Sequence, residues 1–156
     1  MKYTLLENTA TKPATIDCKY FTPKEELIDV LIIAFFGKYP EGSLEHKHAT
    51  YISKKVIAGV IDFNPDAVIL DYRELEYSGG KAILDVFETI SFLKDSENSK
   101  NDLSFPVMVL VSEKSKNGIV SLLLCPDKTN LPDWISEDID TAISIAAKKG
   151  KYWLNH

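Results

Sequence analysis

Ser78, His46, His48 and Asp71 are the side chains whose types could assemble a nucleophilic site: Ser78 as nucleophile, either histidine as base, Asp71 as the orienting acid. The place would be DAVILDYRELEYSGGKAIL, residues 66 to 84. There an apolar run ends in Asp71, a charged segment follows, and Ser78-Gly79-Gly80 precedes a second apolar rhythm. The local spacing argues against this chemistry. Ser78 lacks the G-x-S-x-G elbow that exposes a nucleophile above a sheet. Both histidines fall in the polar HKH segment before a helical pattern, where the common outcome is a solvated ring. Paired carboxylates such as Asp71 with Glu74 or Glu76 would need burial for acid–base work.

Two glycines ahead of a helix can offer backbone N–H groups to an anion. Ser78-Gly79-Gly80-Lys81 lacks the glycine spacing of a nucleotide loop, and Glu74 and Glu76 would repel a phosphate. The glycines read more economically as a bend. His46 and His48 are two residues apart, the wrong interval for metal ligands on one helical face, and no loop has calcium-binding spacing. Cys18 and Cys125 are too few and too far apart for a zinc motif, and are expected to be reduced thiols. No cofactor and no metal is expected. What remains is contact chemistry, with Glu74, Glu76, Tyr72, Tyr77, Tyr39 and Glu41 as the partner-binding side chains.

The elements that would position these groups follow from hydrophobic period. Residues 30–36, 67–72 and 105–111 are nearly unbroken apolar runs, the pattern of parallel strands covered on both faces. Ile52, Val56, Val60 and Phe63 mark one face of a helix that Asn64-Pro65 stops. A second helix is predicted over 81–93 and a short one over 117–124, with Ser112 or Ser115 as its cap. A last helix spans 136–150, with Ser136 as cap and Gly150 as terminator. Residues 1–23 read as a polar arm or edge strand, with a short strand near Tyr3 to Leu6; 94–104 reads as a mobile loop, and KYWLNH as a final strand or docked tail.

Strands alternating with helices imply right-handed parallel crossovers. The fold class is therefore α/β: one domain, 1–156, with a single mainly parallel or mixed sheet and packed helices. In such sheets function gathers beyond the carboxyl ends of the strands. That edge would collect three loops, GKYPEGSLEHKH, RELEYSGG and SEKSKNG.

The formal charge of -5 argues against nucleic acid, whose neutralisation needs a basic footprint, and favours a basic protein partner. No segment reaches the roughly 18 apolar residues of a membrane helix, and the first 20 residues lack a signal pattern. No membrane partner and a cytoplasmic location are expected.

The middle of the chain resembles a STAS domain, the fold of the anti-sigma-factor antagonists. The resemblance rests on AVILDYRELEYSGGKAIL, then FPVMVLVS and the helix around 117–124, with SEDIDTAISIAAKKG as a closing helix. It covers about 27 to 150 in order of elements. It implies that Ser78 is a phosphoacceptor whose added charge would repel a partner. A second resemblance, to the crotonase and Clp-protease type of fold, rests on the strand–Gly-Gly–helix turn and implies an enzyme. Three functional expectations follow. The first is a non-catalytic acidic domain that restrains a basic partner, as an immunity protein restrains a toxin. The second is a STAS-like regulator switched at Ser78. The third is a hydrolase-like or crotonase-like enzyme.

Overall fold

The computed structural model describes residues 3–7, 13, 15–24, 28–40, 45–79, 82–95, 104–123 and 131–155. Glu41, Gly80, Lys81, Cys125 and residues 96–103 of the expected loop lie outside these.

IDCKYF alternates inward Ile16, Cys18 and Tyr20 with outward Asp17, Lys19 and Phe21, and forms β1 (Ile16–Phe21). Such period-2 alternation suits a half-buried edge strand. The strand expected near Tyr3 to Leu6 is absent; residues 3–7 are in neither strand nor helix. β1 runs antiparallel to β2 (Val30–Lys38). β2, β3 (Ala67–Glu76), β4 (Val107–Leu110) and β5 (Ile135–Ser136) are mutually parallel, in spatial order β1-β2-β3-β4-β5. The three predicted apolar strands thus lie side by side, in a mixed five-stranded sheet. Among the described residues four α-helices complete it: α1 (Glu45–Phe63), α2 (Asp85–Lys94), α3 (Lys116–Leu123) and α4 (Ile139–Leu154).

Alternation along each strand divides the core. Leu31, Ile33, Phe35, Val68, Leu70 and Val109 face α1, α2 and α3, where Ile52, Val56, Val86, Ile90 and Ile119 cover them. Val30, Ile32, Ala67, Ile69, Met108 and Leu110 face α4. That single helix lies low because Ala142, Ala146 and Gly150 form its buried stripe. A Cβ on Gly150 would sit 3.0 Å from Ile28 Cγ2 and 3.1 Å from the Asp66 carbonyl oxygen. Gly150 is therefore a close-approach residue and not the predicted terminator. The helix runs four residues further, through KYWL, in place of the expected strand or tail. Its cap also differs. Asp138 accepts from Thr141 N–H (2.9 Å) and Thr141 Oγ1 (2.8 Å), while Ser136 Oγ engages Asp138's own backbone. The hydrogen bonds from Thr141 hold the exposed Asp138 carboxyl below its ordinary range.

The largest departure concerns β3. The apolar run ends at Asp71, but the strand continues through Arg73-Glu74-Leu75-Glu76. Ala34 pairs with Asp71 and Phe36 with Glu74, so two steps on β2 match three on β3. This one-residue bulge resets the alternation. Beyond it Leu75 and Tyr77 point into the core, while Glu74 and Glu76 point to solvent.

Candidate functional site

The carboxyl ends of the parallel strands meet in one rim, as the alternating architecture requires. Lys38, at the end of β2, lies opposite Glu76 of β3. Tyr39 N–H donates to the Glu76 carbonyl at 2.9 Å, and Tyr77 N–H donates to the Lys114 carbonyl at 3.1 Å. Ser112 Oγ donates to the Arg73 carbonyl and accepts from Lys114 N–H, tying the loop after β4 to the bulge. Glu74, Glu76 and Ser78 are all exposed here.

The rim is charge-mixed rather than acidic. Glu74 Oε2 is 3.1 Å from Lys114 Nζ, and Lys116 Nζ is 2.6 Å from Glu137 Oε1. Lys38 is the register neighbour of Glu76 across β2 and β3. Such solvated pairs contribute about 0–1 kcal/mol each. Their effect is to weaken the negative field that a purely acidic edge would project towards a basic partner.

Three expected contact anchors prove to be core. Tyr72 is 0% exposed, Tyr39 2% and Tyr77 2%. For Tyr77 the cause is the strand extension, since after the bulge the inward positions fall on Leu75 and Tyr77; Tyr72 continues the inward series of Val68 and Leu70. The Tyr77 ring meets Tyr39 edge-on at 5.0 Å, and Tyr39 meets His48 at 6.2 Å. Tyr72 packs against Phe35 at 5.9 Å, and its hydroxyl is buried without a hydrogen-bond partner. Burial pushes that phenol's pKa far up. An unsatisfied hydroxyl in a dry core costs about 1–3 kcal/mol. Tyr72→Phe is accordingly expected to raise stability by about 1 kcal/mol, read as a higher urea midpoint at unchanged slope. A loss of similar size would mean that the hydroxyl is bonded.

The nucleophilic arrangement is not assembled. Both carboxylate oxygens of Asp71 are engaged by Arg73: Nε donates to Oδ1 at 2.9 Å and Nη2 to Oδ2 at 2.8 Å. A third bond reaches Oδ1 from Arg73 N–H. Asp71 therefore clamps the bulge and orients no histidine. His48 Nε2 instead lies 2.7 Å from Thr15 Oγ1. Burial pushes the Cys18 thiol up to about 11, which keeps it a neutral thiol and a poor nucleophile. Among the described residues no cluster of three or more His, Cys, Asp or Glu could hold a metal ion. None of their helices is long and apolar enough to cross a membrane.

The Asp71 side chain is 10% exposed and that of Arg73 33%. Removing one member of a buried pair strands the other. Because Arg73 is one-third exposed, water would recover part of that loss. Arg73→Leu is expected to cost about 2 kcal/mol, whereas the double replacement Asp71→Leu with Arg73→Leu should recover most of it in a denaturation series. Equal losses in the single and double variants would contradict the clamp.

Arg73 as clamp, and Lys114 as a rim charge, escaped the sequence reading. The signal was the alternation in E-L-E-Y, in which Leu75 and Tyr77 alternate with Glu74 and Glu76. Gly79 also differs from expectation. Its φ is not left-handed, and a Cβ there would meet nothing within 4 Å, so the bend after β3 does not depend on it.

No protein-family model matches the chain, and no curated protein matches it. Among solved structures, an anti-sigma factor antagonist from Mycobacterium paratuberculosis superposes with a TM-score of 0.56. It is 17% identical, and the alignment covers 87% of this chain and 97% of that one. The chain thus has a STAS-like α/β fold, the fold of that antagonist. The likeness lends no support to toxin neutralisation or to a basic partner.

Proposed function

We propose that this chain is a non-catalytic, STAS-like regulatory domain. It binds a protein partner through the rim formed by Lys38, Glu74, Glu76, Ser78 and Lys114, and phosphorylation of Ser78 releases that partner. The observation that carries this reading is the fold shared with an anti-sigma factor antagonist over 97% of that protein's length. By its description, that protein acts against an anti-sigma factor, and a protein of that regulatory class is the partner proposed here.

The rim supports the Ser78 assignment chemically. Ser78 is exposed directly beyond β3, on the same alternation as Glu74 and Glu76. A phosphoryl group there would add nearly two negative charges beside two carboxylates. Lys114, already paired with Glu74, could neutralise only part of that charge. A surface that is balanced when Ser78 is unmodified would become strongly anionic when it is phosphorylated. Contacts matched to the balanced state would then face like-charge repulsion and desolvated phosphate.

The test begins with affinity capture from the native host and identification of the partner by mass spectrometry. Binding is then compared for Ser78→Ala and Ser78→Asp. Ser78→Ala should bind as the parent does, and Ser78→Asp at least about 10-fold more weakly. Equal affinity of the two variants would remove the switch. Unchanged binding after Glu74→Lys together with Glu76→Lys would remove the rim itself.

A further inference from the structure

β1 is the outer strand on one side of the sheet, and among the described residues nothing pairs with its outer edge. The 2.9 Å bond from Lys38 N–H to the Thr15 carbonyl fixes which of its main-chain groups face outwards. Thr15 and Lys38 stand opposite each other, one step beyond the pair Ile16 and Gly37. Bonded and unbonded pairs alternate along an antiparallel ladder. Asp17, Lys19 and Phe21 therefore turn their N–H and C=O groups towards β2, while Ile16, Cys18 and Tyr20 present theirs at the outer edge. Open edges are commonly blunted by a proline, a bulge or charged side chains, lysine above all. β1 has no proline and no shift of register against β2, and its two exposed charges, Asp17 and Lys19, are of opposite sign.

We propose that β1 pairs antiparallel with β1 of a second copy of this chain, in the register that sets Cys18 opposite Cys18 across a two-fold axis. Only outward-facing residues can exchange bonds, so Ile16, Cys18 and Tyr20 must face one another across the axis. With Cys18 opposite Cys18, Ile16 faces Tyr20 at both ends, and these pairs exchange about six main-chain bonds. Between them Asp17 faces Lys19 of the second copy, and Lys19 faces its Asp17. Shifting one copy by two residues either way sets Asp17 against Asp17 or Lys19 against Lys19 on the axis and drops one bonded pair. Like charges directly opposite destabilise a pair of strands. Asp17 has a contact of its own within the chain, and the Lys19 ammonium lies 5.6 Å from the centre of the Phe36 ring. Neither has to be released, because the register is chosen by which pairings repel and not by a free charge seeking a partner.

β2 runs antiparallel to β1 in each copy, so the parallel strands of the two copies run in opposite directions. The two rims then face opposite ends of one continuous sheet, each open to a partner of its own. Dimer formation does not depend on what binds there. The test is sedimentation equilibrium of the full chain and of charge-reversed variants. Asp17 and Lys19 are exposed, so substitutions there leave the fold intact. The parent should dimerise with a Kd below about 0.5 mM. Asp17→Lys and Lys19→Asp each bring like charges face to face on both sides of the axis, and each should weaken the dimer at least about 5-fold. They move the net charge in opposite directions, so a general charge effect would not weaken both. Asp17→Lys combined with Lys19→Asp restores opposite charges in the same register and should return to within about 2-fold of the parent. Amide exchange locates the contact: the N–H groups of Ile16, Cys18 and Tyr20 should gain protection as concentration rises, and those of Asp17, Lys19 and Phe21 should not change. A chain still monomeric at about 2 mM, single reversals that dimerise as the parent does, a double reversal as weak as the singles, or no gain of protection at Ile16, Cys18 and Tyr20 would each overturn the pairing.

Discussion

Gly37→Ala is expected to lower the thermal midpoint by roughly 8–16 °C, a loss of about 4 kcal/mol for a chain of this length. Three costs accumulate. Gly37 has φ of +119°, a conformation that L side chains adopt only under strain of about 1–3 kcal/mol. A Cβ there would lie 1.8 Å from the Thr15 carbonyl oxygen, so the start of β1 must withdraw. Withdrawal breaks the 2.9 Å bond from Lys38 N–H to that carbonyl, worth about 1 kcal/mol. It also loosens Ile16, which is 0% exposed and pairs with Gly37. Against a typical total of about 5–15 kcal/mol, this is a large fraction. Gly79→Ala is the control. With open space and an ordinary φ, it should change stability by less than about 0.5 kcal/mol. If calorimetry placed Gly37→Ala as close to the parent as the control, the backbone geometry at the end of β2 would be wrong.

The contrast between these two glycines shows where the sequence was legible. LIIAFF, AVIL and VMVL announce themselves as strands because burial on both faces demands uninterrupted apolar residues, and nothing else in a chain this size does. The helices are equally plain, because Ile52, Val56 and Val60 recur at helical spacing. The site was harder to read, for one mechanical reason. Arg73, Glu74 and Glu76 look like loop residues, and the bulge shifts the alternation by one, so that a period-2 reading from Asp71 fails. Once the strand is extended and the bulge inserted, Leu75 and Tyr77 become core and the glutamates become rim. Glu74, Glu76 and Ser78 could be placed at the exposed edge from the order of elements alone. The tyrosines could not, because an aromatic residue next to charges reads the same whether it is an anchor or a plug. Gly150 misled in a related way. A glycine after two lysines resembles a helix terminator, and only the register Ala142–Ala146–Gly150 identifies it as the third member of a packing stripe.

Gly118→Ala brings fold and proposed function together, because here two known effects oppose each other. Gly118 lies within α3, where alanine is intrinsically favoured over glycine by about 1 kcal/mol. Packing points the other way. A Cβ at 118 would sit 2.6 Å from Tyr77 Cδ1 and 2.7 Å from the Tyr77 carbonyl oxygen. The ring is wedged against Tyr39, and the carbonyl belongs to a segment whose N–H is bonded to Lys114, so neither can retreat freely. Overpacking of this kind costs about 1–3 kcal/mol, and contact with backbone puts it at the upper end. The net expectation is a loss of about 2 kcal/mol, with α3 lifted from the end of β3. The residue next to Tyr77 is Ser78, so the displacement falls on the proposed switch. Gly118→Ala should therefore weaken partner binding even under conditions where the variant is fully folded, and it should do so without adding charge. Adding salt should rescue little of that loss, whereas the charge-based loss in Ser78→Asp should shrink as salt screens it. Should Gly118→Ala instead stabilise the chain by the full helical increment, α3 would not rest on Tyr77, and the rim would lack the support on which the proposed binding surface depends.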